Sequence, residues 1–125
     1  MNRSRALDIA QRYLECSGYE VVEKDFNCPN GSKIDVVAWQ DDELVIVSVV
    51  YRNTNNKTDD GFPSERLTVG KIAKIERSAA MYLRQLEELP SNFIVRFDTI
   101  SLLEVDEVHA LVKHHVNALA QGAME

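Results

Sequence analysis

Lys33-Ile34-Asp35-Val36-Val37-Ala38-Trp39, then Gln40-Asp41-Asp42, then Glu43-Leu44-Val45-Ile46-Val47-Ser48-Val49-Val50-Tyr51-Arg52 reads as two strands joined by a tight reversal. The second strand is apolar on both faces at 44–47, which predicts a position in the middle of a sheet. With the reversal centred near Asp41-Asp42, antiparallel pairing sets Asp35 opposite Ser48 and Lys33 opposite Val50. All four then share one sheet face, because residues two apart along a strand point the same way.

Upstream of the hairpin, Ala6, Ile9, Ala10, Tyr13 and Leu14 recur at helical spacing and predict an amphipathic helix ended by Ser17-Gly18. A short strand is expected over 19–23, and a loop over 27–32, where turn-forming residues are dense. Downstream, 53–63 is polar and predicts the most mobile loop of the molecule. Leu67, Ile72, Ile75, Ala79, Tyr82, Leu83 and Leu86 predict a long helix over 64–89, stopped by Pro90. Two further strands are expected over 93–97 and 99–105, divided around Asp98, and a closing helix over 107–120. Helices interleaved with strands in one small chain give an α/β fold around a mixed β-sheet flanked by helices.

The composition bounds the function classes. At 125 residues and 45% hydrophobic, the chain is expected to form one domain, 1–125, with a single core. A net charge of -6 supplies no global pull toward a polyanion, so nucleic-acid binding would require a local basic face. The N-terminus turns polar at once and lacks the apolar stretch of a signal peptide or membrane span, so a cytoplasmic protein is expected. Cys16 and Cys28 are too few for a disulfide framework and match no common zinc spacing.

Many weak matches in fixed order carry a resemblance. Residues 18–22, 28–38, 44–52 and 61–65, with Lys71, Ala79-Ala80, Tyr82-Leu83 and 96–98, resemble the YraN-like family. That family is small, bacterial and uncharacterised, and the resemblance implies the restriction-endonuclease-like fold with its PD-(D/E)xK signature. Where the family usually reads Gly-Glu-Ile-Asp-Leu-Ile-Ala and Val-Glu-Val-Lys-Thr-Arg, only the aspartate survives here, as Asp35. The glutamate two positions before it is Lys33, the second-strand glutamate is Ser48, and the lysine two residues on is Val50. Arg52 matches the family's arginine. The glutamate of the opening helix falls at Leu7, beside Asp8.

Phosphodiester hydrolysis with Mg²⁺ needs oxygen ligands from several positions and often a lysine beside the attacking water. One carboxylate, one cation, one hydroxyl and one apolar wall do not make that cage, and a nearby lysine repels the ion. Asp35 is therefore read as a remnant of a catalytic site or as a structural group paired with Lys33 or Arg52, with Lys33 the expected counter-charge. Glu65 is a displaced ligand or a helix-start carboxylate favoured by the macrodipole. Lys71, Lys74 and Arg77, three apart on one helix face, and Arg52 are the candidate nucleic-acid contacts; the plain alternative for the helix residues is a solvated surface. His109, His114 and His115 lack the i,i+4 spacing of a metal pair and are expected on the surface or partly packed. Asp41, Asp42 and Glu43 suit an exposed turn.

Three functions follow as expectations. The first is a catalytically degenerate nuclease-fold protein that needs no cofactor and keeps its scaffold for association with nucleic acid (DNA or RNA) or protein, with no membrane association. The second is a Mg²⁺-dependent endonuclease with migrated residues, using Asp35 with Glu65 or Asp8 and with Lys71 or Lys33. The third is a structural module that self-associates through a sheet edge or its closing helix.

Overall fold

The computed structural model describes residues 1–53, 62 and 68–118. Helix α1 (Arg3–Cys16) starts where the Asn2 side chain accepts the Arg5 N–H at 2.9 Å, capping one of the orphan donors of the first turn. It ends in a two-bond closure: Tyr19 N–H donates to the Leu14 carbonyl at 2.9 Å and Gly18 N–H to that of Glu15 at 3.2 Å. This reversal needs a left-handed residue, and Gly18 supplies it at φ 90°. Ala6, Leu7, Ala10 and Leu14 form the buried stripe of α1.

The sheet runs β1 (Glu20–Asn27), β2 (Lys33–Gln40), β3 (Glu43–Asn53), β4 (Ile94–Glu104), β5 (Ala110–His115), in that spatial order. β1, β2 and β3 pair antiparallel, β3 and β4 pair parallel, and β5 returns antiparallel along β4. The parallel step requires a crossover, and helix α2 (Val69–Gln85) lies within it. Two apolar clusters result. One gathers the α1 stripe with Val36, Ala38, Val45, Val47, Ile100 and Leu102. The other gathers Ala79 and Tyr82 of α2 with Ile34, Val37, Leu44 and Ile46. β3 contributes alternate residues to each, so it is buried on both faces as its apolar run predicts.

The hairpin register agrees with the sequence. Gln40 pairs with Glu43 across Asp41-Asp42, with Asp41 at φ 54°, and the ladder runs to Val36 against Val47. Four expectations are corrected. The segment 107–120 does not form a closing helix: it carries β5, with Ala110, Val112 and His114 turned inward and Leu111, Lys113 and His115 outward. Its Val and Leu residues were compatible with either period, and the β4 edge decided the matter by offering a ladder from Glu104↔Ala110 to Thr99↔His115. The strands expected over 93–97 and 99–105 are one, because Asp98 is a buried, fully bonded residue rather than a break. Helix α2 ends at Gln85, where Leu86 becomes extended and turns toward the α2 core, ahead of Pro90. The first strand reaches Asn27, well past 23. Of the polar loop expected over 53–63 only Asn53 and Phe62 are described, and Glu65 lies outside the described residues.

Candidate nucleic-acid interface

The β2–β3 pairing ends at Val36↔Val47, and Asp35 takes over where the ladder stops. Its Oδ2 accepts the Val49 N–H at 2.7 Å, satisfying a backbone donor that β2 no longer reaches. Its Oδ1 lies 2.8 Å from Arg3 Nη2. The counter-charge of Asp35 is thus Arg3 of α1, not Lys33 or Arg52. Lys33 Nζ instead stands 3.7 Å from Asp25, whose same oxygen accepts from Arg3 Nη2 at 2.8 Å. Arg3 bonding holds the Asp25 carboxyl below its usual range. For Arg3 itself, burial lowers the pKa, and hydrogen bonds to Asp25 and Asp35 outweigh it, leaving the guanidinium above its ordinary value.

A cleft of about 140 Å³ opens here between the start of β2, the middle of β3 and α2. Lys33, Asp35 and Ser48 line it together with their neighbours Ile34 and Val47, while Val50 is not in the lining among the described residues. α2 adds Lys74 and Ser78. Ser78 is bonded to Ser32 at 2.8 Å and donates toward the Lys74 carbonyl at 3.1 Å, which fixes α2 against the 28–32 turn. Lys71, Lys74 and Arg77 are all exposed on α2, but only Lys74 lines the cleft. Arg52 follows Ser48 and Val50 on the same face of β3 by strand alternation. Its Nε is buried with no hydrogen-bond partner among the described residues. Asp8 is committed elsewhere, in a 2.6 Å pair with Lys24.

A divalent cation does not fit this donor set. Mg²⁺ requires near-octahedral oxygen ligation, usually with one or two free carboxylates. Both oxygens of Asp35 are occupied, Ser48 offers a neutral hydroxyl, and Lys33 and Lys74 place positive charge in the same small space. No group of three or more His, Cys, Asp or Glu that could hold a metal is found among the described residues.

A second polar cluster escaped the sequence reading. Asp98, on β4, has a side chain with 0% exposure and accepts from Arg96 Nε at 2.9 Å, Arg96 Nη2 at 3.0 Å and the Asn117 N–H at 2.9 Å. His114 Nε2 lies 2.7 Å from the same carboxylate, and its Nδ1 lies 3.1 Å from the Tyr13 hydroxyl. Arg96 also reaches Glu43 at 2.6 Å, Gln40 at 2.9 Å and the Tyr19 hydroxyl at 2.7 Å. Burial pushes the Asp98 carboxyl up, but His114, Arg96 and the Asn117 amide outweigh it and hold it below the usual range. Burial works against the Arg96 charge too, and Asp98 raises it well above the ordinary arginine value. The available signal was Arg96 and Asp98 two apart in an apolar strand, hence on one face. The cluster fastens α1, β3, β4 and β5 together. His109 is exposed and bonded to Asp106, and His115 faces solvent, so the three histidines do not converge.

A mixed five-stranded sheet with a helix packed on each face, and a cleft where the β2–β3 hairpin meets α2, defines a restriction-endonuclease-like α/β fold. The chain belongs to the uncharacterised protein family UPF0102, whose model matches residues 8–102, in agreement with the YraN-like resemblance. It is 31% identical over 121 residues to a UPF0102 protein of Syntrophomonas wolfei, covering 94% of this chain and 99% of the relative. It is 35% identical over 109 residues to one of Lachnoclostridium phytofermentans, covering 87% and 86%. A UPF0102 protein of Beutenbergia cavernae is 35% identical over 106 residues, 85% of each chain. No described helix is long and apolar enough to cross a membrane.

Proposed function

We infer that this chain keeps a nuclease scaffold for binding DNA or RNA without cutting it. The observation that carries this reading is the state of Asp35: the one acid retained at the signature position spends one oxygen on Arg3 and the other on the Val49 amide. Two lysines share its cleft, and the exposed cations Lys71 and Arg77 continue along α2, with Arg52 on the neighbouring strand. This gives an overall acidic chain a local basic face, the footprint that phosphate contact requires. A cytoplasmic setting accompanies the proposal and fits two free cysteines, one buried and one exposed.

The test titrates labelled single-stranded DNA, duplex DNA and RNA at several salt concentrations, with parallel incubations in Mg²⁺ and Mn²⁺ beside an Asp35→Ala control. Binding that weakens steeply with salt, and intact strands, are expected. Cleavage that disappears in the control would overturn the reading in favour of an enzyme with migrated ligands. Absence of binding at low salt together with a stable dimer would point to a self-associating module.

A further inference from the structure

We propose that the cleft between β2, β3 and α2 is a phosphate-binding site, so that the position a divalent cation holds in a cutting enzyme takes an anion here. The inference rests on the nucleic-acid reading and adds to it the group that is recognised and the residues that recognise it.

The donor inventory favours an anion. Lys33 and Lys74 both belong to the lining of one cleft of about 140 Å³, which sets two lysines around one small space. Lys74 Nζ makes no ion pair with a described residue, and Lys33 is held only loosely, 3.7 Å from an Asp25 oxygen that already accepts from Arg3. Ser48, midway along β3, carries a hydroxyl not bonded to any described residue and adds a third donor. The two hydrogens of the Ser32 and Ser78 hydroxyls are shared among Asn30 Oδ1, the Lys74 carbonyl and the contact between the two serines; their part is to hold the wall in place.

The acceptor side is exhausted. Among the described residues Asp35 is the one carboxylate in the lining, and both of its oxygens are bonded. Among the described residues of the cleft and its rim, Arg3, Lys33 and Lys74 stand against Asp25 and Asp35, an excess of positive charge where a metal site needs the reverse. A tetrahedral phosphate presents several acceptor oxygens to convergent donors, and lysine serves such groups as a point charge. The apolar floor of Ile34, Ile46 and Ile75 lowers the local dielectric and strengthens those contacts. Internal phosphodiesters, terminal phosphates and free phosphate share this chemistry.

The experiment uses ¹⁵N-labelled full-length protein titrated with sodium phosphate against sodium chloride at matched ionic strength, then with a single-stranded oligonucleotide carrying or lacking a 5′-phosphate. Wild type and a Lys33→Gln/Lys74→Gln variant are compared; both positions are exposed, so the fold is retained, as circular dichroism would verify. Phosphate should shift the amides of Lys33, Ser48 and Lys74, chloride should not, and the double variant should lose the response. Its oligonucleotide affinity should fall roughly tenfold at low salt, with the salt slope reduced by about two. A preference for the 5′-phosphorylated strand identifies a terminal group as the occupant, and equal binding identifies an internal one; both support the site. Phosphate shifts that avoid the cleft, or a double variant that binds oligonucleotide with unchanged affinity and slope, would overturn the site while leaving nucleic-acid binding intact. Phosphate seated in the cleft of a protein that binds no oligonucleotide would support the site and sink the nucleic-acid reading.

Discussion

Arg3 Nη2 and Asp35 Oδ1 meet at 2.8 Å, joining the first turn of the opening helix to the signature strand of the hairpin. The aspartate is held from one side by this guanidinium and from the other by the Val49 amide, a structural post at a position where chemistry would need a free ligand.

Truncating Asp35 to alanine strands the Val49 donor and removes the partner of Arg3, and should cost about 1–3 kcal/mol in urea denaturation. Asp35→Asn keeps an acceptor for Val49 and should cost less. Equal losses for the two variants would show that the Val49 bond contributes nothing.

Removing the Asp98 charge takes from the buried Arg96 its two-bond partner and leaves Glu43 as its carboxylate among the described residues. Asp98→Asn should therefore destabilise by about 3 kcal/mol, the low end for a broken buried pair. The double replacement Arg96→Met/Asp98→Leu should be less damaging than the sum of the singles, since replacing both charges removes the desolvation cost along with the pairing. A double-mutant cycle measures that coupling directly.

The same carboxylate sets an acid limit. Its folded-state pKa is depressed, so the unfolded chain binds the proton more readily and the stabilisation is fully present above the unfolded value of about 3.9. It is lost as pH falls through the depressed folded value. Wild type should lose stability across that range, and Asp98→Asn should show a flatter acid limb in melts followed by circular dichroism.

The two sides of β5 should respond differently. Leu111 is 50% exposed and Leu111→Lys should change stability by no more than about 0.5 kcal/mol, as at an ordinary surface position. Val112 pairs with Leu102, so Val112→Pro removes a ladder position and should be severe. Similar tolerance at both positions would argue against the strand.

Gly18 holds φ 90° at the end of α1, a conformation that L side chains resist. Gly18→Ala should cost about 1–2 kcal/mol, read as a fall in thermal midpoint.

The central hairpin was legible because two signals agreed: an apolar run at 44–47 and a polar reversal at Asp41-Asp42. The first helix was legible from its spacing and from Ser17-Gly18. The nearness of Lys33, Asp35 and Ser48 was expected from the hairpin register; the ladder stops at Val36↔Val47, and one cleft holds the three residues beyond it. Long-range pairing was hidden. Arg3 as the partner of Asp35 comes from a turn of chain outside any local pattern, and Lys74 was legible as a basic helix residue but not as part of a cleft. β5 was misread because Val108, Leu111, Val112 and Val116 satisfy helical spacing, while the open edge of β4 that captures them is a tertiary fact. Asp98 looked like a break, since a lone acid in an apolar run signals a turn until Arg96 and His114 are seen around it.

The side-by-side alignment of β3 with β4 has a kinetic consequence. Every other neighbouring pair in the sheet is a hairpin, able to zip from its own turn, whereas Arg96 must find Glu43 from 53 positions away. Closing so long a loop precedes any reward from the contacts it brings, which makes this docking the slow event in refolding. Substitutions in the β3–β4 seam should then retard refolding, while those in the outer hairpins should chiefly hasten unfolding.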